Sequence, residues 1–244
     1  MSARFAIPAT TFVLRGILQQ RLNLAYPNPL VAPVVSVEPP PRPSPTNGNA
    51  GGGNHPAQPE PARLHLFCHH VALNPAWRNM YDPHVSPAGL RVGPSPLAVD
   101  LHYLLAATGA DLEREVLLGL GITALNRFGV VPRPKIAAIL GAVAVPGVPA
   151  RITDLIPDEQ LQDPAEQPEQ ITISQQPVDL DLSTRVWSAF QSPLRPSAYF
   201  LVTTVFLDVD EVLPDIADVD SLSIGVRPDT SGAAPGASEV VTTP

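Results

Sequence analysis

The sequence predicts an α+β domain in which a mixed β-sheet is covered by helices. Three observations lead there. Strand-like runs recur at 63–73, where residues alternate between two faces, at 96–107, which is densely apolar, and at 198–209, which is rich in aromatic and β-branched residues. Stretches with helical spacing lie among them without a regular β-α-β alternation. Prolines and glycines gather in internal connections and the C-terminal stretch rather than inside those runs.

Taken in order, Thr10–Asn23 spaces Leu14, Leu18 and Leu22 four residues apart with Val13 and Ile17 beside them, an amphipathic helix with Thr10 or Thr11 as its cap. VAPVVSV at 31–37 is β-prone, and Pro33 demotes its start to an edge. Residues 38–61, EPPPRPSPTNGNAGGGNHPAQPEP, hold almost nothing to bury and are expected to form a long flexible loop between two strands. Arg63–Leu73 alternates Leu64, Leu66, Cys68 and His70 on one face with His65, Phe67, His69 and Val71 on the other.

Pro96–Ala107 is apolar enough for a central strand buried on both faces. Asp111–Phe128 turns Leu112, Val116, Leu117, Leu120 and Leu125 toward one side of a helix, with acids in its first turn where the dipole favours them; Gly119 and Gly121 weaken it or mark close packing. Between Pro132 and Pro168 only Lys135–Val143 suggests a short helix. Ile171–Gln176 reads as a strand, and Asp181–Phe190 as a helix capped by Asp181 or Ser183 with Val186, Trp187 and Phe190 inward. Ala198–Val209 is the last strand. The expected organisation is one domain over 1–213, with the loop at 38–62, and an irregular or disordered tail over 214–244.

Composition narrows the function classes. The 244 residues are 44% hydrophobic and 16% charged. The 31 prolines are well over twice the usual share of about 5%. A net charge of -8 with only 15 Lys and Arg argues against nucleic-acid binding and suits a basic protein partner. The single Cys68 allows no internal disulfide and agrees with a reducing cytosol. No signal peptide or membrane span is read, since the apolar stretches at 5–18 and 136–148 are short and interrupted.

Candidate chemistry is thin. His65, Cys68, His69 and His70 are zinc- or copper-type ligands, but strand alternation splits them between faces and no second Cys/His pair accompanies them. Asp100 and His102 share a strand face, yet there is no G-x-S-x-G turn, and a structural hydrogen bond between the two is the simpler expectation. The acidic run at 207–220 lacks the calcium-loop pattern, and Gly51–Gly53 lacks the Lys-Ser/Thr of a phosphate loop. No catalytic, cofactor or metal residue is therefore assigned. The rival functions are a metal-dependent or Ser/His hydrolase around His65, His69, His70, Asp100 and His102, and a generic protein-binding adaptor. Trp77 and Arg78 follow a turn at Asn74-Pro75 and are residue types favoured at interfaces.

Three blocks, RLHLFCHHVALNPAWRN, SPLAVDLHYLLAA and WSAFQSPLRPSAYFLVTTVFLD, in that order resemble the N-terminal domain of cap, or tail-terminator, proteins of extracellular contractile injection systems. The motif positions are Asn74, Pro75, Arg78 and Asn79; Pro96, Leu97, Asp100, Leu101, Tyr103, Leu104 and Leu105; and Trp187, Ser188, Arg195, Pro196, Ser197 and Tyr199. The likeness runs from about Leu14 to Val209, departing from the pattern at 38–61 and 132–168. It implies a phage tail-terminator fold and a non-enzymatic subunit of a ring, expected to be a hexamer, that ends the inner tube and contractile sheath. The implied partners are further copies of the chain and the sheath and tube proteins. The implied location is the cytoplasm during assembly and then the finished particle. Asn74, Pro75, Trp77, Arg78, Asn79, Asp100, Tyr103, Arg195, Ser197 and Tyr199 are the expected motif or interface residues.

Overall fold

A computed structural model describes residues 5–26, 28, 32–42, 60–77 and 96–207, and the backbone pairing of 222–223 with 240–241. The chain divides into two compact units, one of residues 1–84 and 95–210, the other of 85–94 and 211–244. The first holds a five-stranded mixed sheet in the order β1-β2-β3-β5-β4, formed by β1 (Val34–Ser36), β2 (Arg63–Leu73), β3 (Leu97–Thr108), β4 (Thr172–Gln176) and β5 (Ser197–Leu207). β1 runs parallel to β2, and the other neighbours are antiparallel. β3 is the central strand, as its continuous apolar run requires.

Helices α1 (Ala6–Ala25), α2 (Glu113–Arg127) and α3 (Arg133–Leu140) belong to the larger core. There Val13, Leu14, Ile17, Leu18 and Leu22 of α1 join Leu64, Leu66, Tyr103, Leu105, Phe200 and Val202 of the sheet. Each such aliphatic side chain, fully buried, contributes about 1.5–3 kcal/mol. Close approach is bought at two glycines. A Cβ on Gly16 would lie 2.6 Å from Ile139 of α3, and one on Gly121 would lie 3.0 Å from both Leu64 and Leu105, whereas Gly119 faces open space. Helix α4 (Leu180–Ala189) covers the opposite face, where Trp187 packs on Leu104, Ala106 and Tyr199.

Several expectations are corrected. Helix α1 starts at Ala6, and Thr10 and Thr11 lie inside it, their hydroxyls donating to the Ala6 and Ile7 carbonyls at 2.7 and 3.2 Å. Pro8 is tolerated because the first-turn N–H groups have no helical partner. The N–H of Phe5, before the helix, donates to the buried Glu159 carboxylate at 3.0 Å, and burial pushes the Glu159 carboxyl above its ordinary value. Leu112 and Val116 are exposed; α2 buries Leu117, Gly121, Ala124 and Leu125 instead. The cap of α4 is Asp179, which accepts from the Leu182 N–H at 2.8 Å, so neither Asp181 nor Ser183 fills that place. The proline-rich connection carries α3 from Arg133 and a 3-10 stretch over Ile152–Asp158.

The second unit contains β6 (Leu222–Ser223) paired antiparallel with β7 (Val240–Val241). That departs from a wholly irregular tail, since the aliphatic Leu222, Val240 and Val241 suit strand pairing. The rest of 214–244, and most of the 38–62 loop, lie outside the described residues. Among the described residues, no helix is long and apolar enough to cross a membrane.

Candidate functional site

The motif residues gather at two places on the sheet, and β2 carries a β-bulge between them. Cys68 pairs with Tyr103 while His70 pairs with His102, so His69 is the extra residue. The register slip puts His69 and His70 on the same side as His102, rather than on the opposite faces that strict alternation requires. Their rings stand 6.2 and 5.1 Å from that of His102, and Tyr199 meets His69 edge-on at 5.7 Å. Burial, then the charges of His102 and His70, hold His69 below the ordinary histidine value.

At the end of β2, Asn74 uses every part of its side chain. Its Oδ1 accepts the N–H groups of Ala76 and Trp77 at 2.9 and 3.3 Å. Its Nδ2 donates to Asp100 Oδ1 at 2.8 Å and to Thr204 Oγ1 at 3.1 Å. Pro75 follows where a turn needs its fixed φ. The turn sets Trp77 edge-on against Phe206 of β5, with ring centroids 4.7 Å apart. A buried amide supports the same place: Gln167 donates to the Phe206 carbonyl at 2.8 Å and accepts its N–H at 3.0 Å, completing the edge of β5. Asn74, Pro75, Trp77 and Asp100 thus come together; Arg78 and Asn79 lie outside the described residues.

The second group joins α4 and β5 to the entry of β2. Arg195 donates to both oxygens of Glu60 at 2.8 and 2.7 Å. The Trp187 indole N–H meets Ser197 Oγ at 3.4 Å, and Tyr199 meets Ser183 at 3.2 Å. Tyr103 belongs to neither group. It is fully buried on the helix-covered face with its hydroxyl 2.7 Å from Thr11 of α1, and burial pushes its phenol upward.

Of the residues a hydrolase would need, His69, His70 and His102 stand together, but His65 and Asp100 are engaged elsewhere. His65 is buried with Nε2 3.3 Å from Thr108 Oγ1, and its Nδ1 is buried without a hydrogen-bond partner. Burial, chiefly, lowers its basicity. Asp100 is engaged by Asn74 rather than by His102, contrary to the expected pair. Burial raises the Cys68 thiol above its ordinary value, which opposes nucleophilic use. Among the described residues, no three His, Cys, Asp or Glu side chains are placed to hold a metal ion. Sequence reasoning missed Glu60, Gln167, Thr204 and Phe206. Only the alternation of β5 hinted at the last two, and nothing local marks the others.

Among solved structures, the fold is similar to the PVC sheath/tube terminator of an extracellular contractile injection system in the extended state. The TM-score is 0.53 at 12% identity, covering 93% of this chain and 65% of that one. The anti-feeding prophage cap, a tube-terminating cap, matches with a TM-score of 0.42 at 16% identity over 68% of this chain and 50% of that one. The chain therefore spans about two thirds of the first and half of the second. No curated protein matches significantly. The sequence model of the Pvc16 N-terminal domain matches residues 9–217, most of the ordered body and the motif residues with it, and the chain belongs to that family.

Proposed function

We propose that this chain is a structural subunit that terminates the tube and contractile sheath of a phage-tail-like injection particle, acting as a ring, a hexamer, rather than as an enzyme. The carrying observation is family membership over 9–217, on a body whose fold is shared with a sheath/tube terminator. The geometry supports it physically. The motif side chains of the Asn74 clasp and of the Arg195–Glu60 pair brace the body, as a ring subunit that must hold its loops against neighbours requires.

In this reading Asn74, Pro75 and Asp100 position the segment that begins at Trp77, and Arg78 and Asn79 meet a neighbouring subunit or the tube. Ser197 and Tyr199 hold α4 against the sheet behind it, and Arg195 ties the chain after α4 to the entry of β2. The subunit assembles in the cytoplasm and stays in the finished particle, with sheath and tube proteins as its partners. Electron microscopy of particles from a strain lacking this chain tests the proposal. Tubes or sheaths of aberrant length are expected, and particles of normal length would overturn it.

A further inference from the structure

The helical layer carries a charge opposite to that of the whole chain. Neither α1 nor α3 contains an Asp or Glu, although the net charge is -8. Between them and the C-terminal half of α2 lies a cleft of about 200 Å³ lined by Ile17, Arg21, Leu24, Arg127, Phe128 and Lys135. Its cations are poorly compensated. Arg21 Nε is buried without a hydrogen-bond partner, Arg127 is exposed and enters no ion pair among the described residues, and Lys135 is held by the neutral Gln20 side chain. Leu24, 81% exposed, stands at the rim as an apolar residue with nothing packed over it.

Such a cleft fits a short peptide carrying an aliphatic anchor between carboxylates. It is smaller than the roughly 300–1,000 Å³ of ordinary small-molecule pockets. The chain itself supplies that chemistry at 208–220, DVDEVLPDIADVD, where Asp208, Asp210, Glu211, Asp215, Asp218 and Asp220 alternate with aliphatic residues and no Lys or Arg intervenes.

We infer that the cleft between α1, α2 and α3 is the docking site for the acidic 208–220 segment of a neighbouring copy of this chain. Carboxylates pair with Arg21, Arg127 and Lys135, which are stronger as charge-assisted hydrogen bonds than neutral ones, and an aliphatic side chain fills the space beside Leu24 and Phe128. The choice of a neighbouring copy rests on the ring reading above, in which adjacent subunits present the segment at high effective concentration. The contact would link each subunit to the next head to tail, an arrangement that closes into a ring.

The test uses two full-length variants. One reverses the cleft (Arg21→Glu with Arg127→Glu), and the other reverses the segment (Asp215→Lys with Asp218→Lys). Association of fluorescently labelled copies is followed by energy transfer in the presence of purified tube, with thermal melting as the folding control. Each variant alone is expected to lose at least about tenfold in association, and an equimolar mixture of the two to regain it, because every cleft then meets a segment of opposite charge. A labelled peptide of residues 207–220 should bind the wild-type chain and bind the cleft variant at least about tenfold more weakly, with the affinity falling as salt is raised. Unimpaired association of both variants would overturn the docking and leave the ring intact. Failure of the mixture, with recovery only when all four changes share one chain, would place the contact within a subunit and also overturn it. A wild-type chain that never associates, even on tube, would overturn the ring reading as well.

Discussion

Asn74 donates its side-chain amide to the Asp100 carboxylate at 2.8 Å, tying the turn after β2 to the fourth residue of β3. Because the same side chain also accepts two N–H groups of the turn and reaches Thr204, its loss strands several polar atoms at once. Asn74→Ala should cost about 1.5–3 kcal/mol, the range for hydrogen bonds to a charged group, measured by urea denaturation. Asn74→Asp should be worse at neutral pH. It keeps the turn acceptor but sets a second carboxylate against Asp100, which raises the pKa of the pair. Its deficit relative to the wild type should then shrink as pH falls through the carboxylate range. A deficit that is the same at pH 7 and pH 4.5 would contradict this.

The glycines of the helical layer separate packing from propensity. Gly119→Ala meets no neighbour and should gain up to about 1 kcal/mol from helix propensity alone. Gly16→Ala gains the same propensity but drives a methyl into the β-branched Ile139. Overpacking typically costs about 1–3 kcal/mol, so its net effect should be destabilising. Thermal melting of the two variants side by side should move in opposite directions.

The buried His65 and the half-buried His69 should make the fold acid-sensitive before its carboxylates titrate. His65 and His69 are both held below the ordinary value, first by burial, then by Arg63 and Arg195 for His65 and by His102 and His70 for His69. The unfolded chain therefore takes up these protons at higher pH than the folded one. The stability they contribute is complete well above about pH 6.5 and is lost as pH falls through that value, by up to about 1.4 kcal/mol per pH unit for each group. The melting temperature should fall between pH 7.5 and 5.5, and His69→Gln should flatten part of that slope.

Arg195 and Glu60 form a two-pronged pair whose Arg side chain is 9% exposed and whose Glu is 32% exposed. Solvent at the glutamate tempers the gain, so a double-mutant cycle to Ala should report a coupling of about 1–2 kcal/mol. Both contacts come from the one Nη1, so Arg195→Lys should restore part of the coupling, because an ammonium can also donate to two carboxylate oxygens. Full rescue by Lys would show that charge alone matters there.

Local pattern made most of the fold legible. β2 matches its apolar run residue for residue, β3 and β5 to within one or two residues, and Trp187 is buried where its spacing placed it. Helix starts were less legible. Thr10 has the chemistry of a cap, but the tertiary contact of Glu159 with Phe5 lets the helix begin one turn earlier. The motif residues could be named from the sequence, yet their roles could not. Tyr103 turned out to point into the core, and Asp100 toward Asn74 rather than His102.

By itself, then, the sequence determined the strand and helix inventory, the charge balance and the family likeness, because periodicity and composition are local properties of the chain. Only the tertiary structure decided what the bulge at His69 does. One unpaired residue moves His70 across the sheet, and a side-chain period of two carries no mark of where such a slip occurs. The same holds for the cationic cleft. Arg21, Arg127 and Lys135 are more than a hundred positions apart at the extremes, and only the packing of α1, α2 and α3 brings their charges to one place.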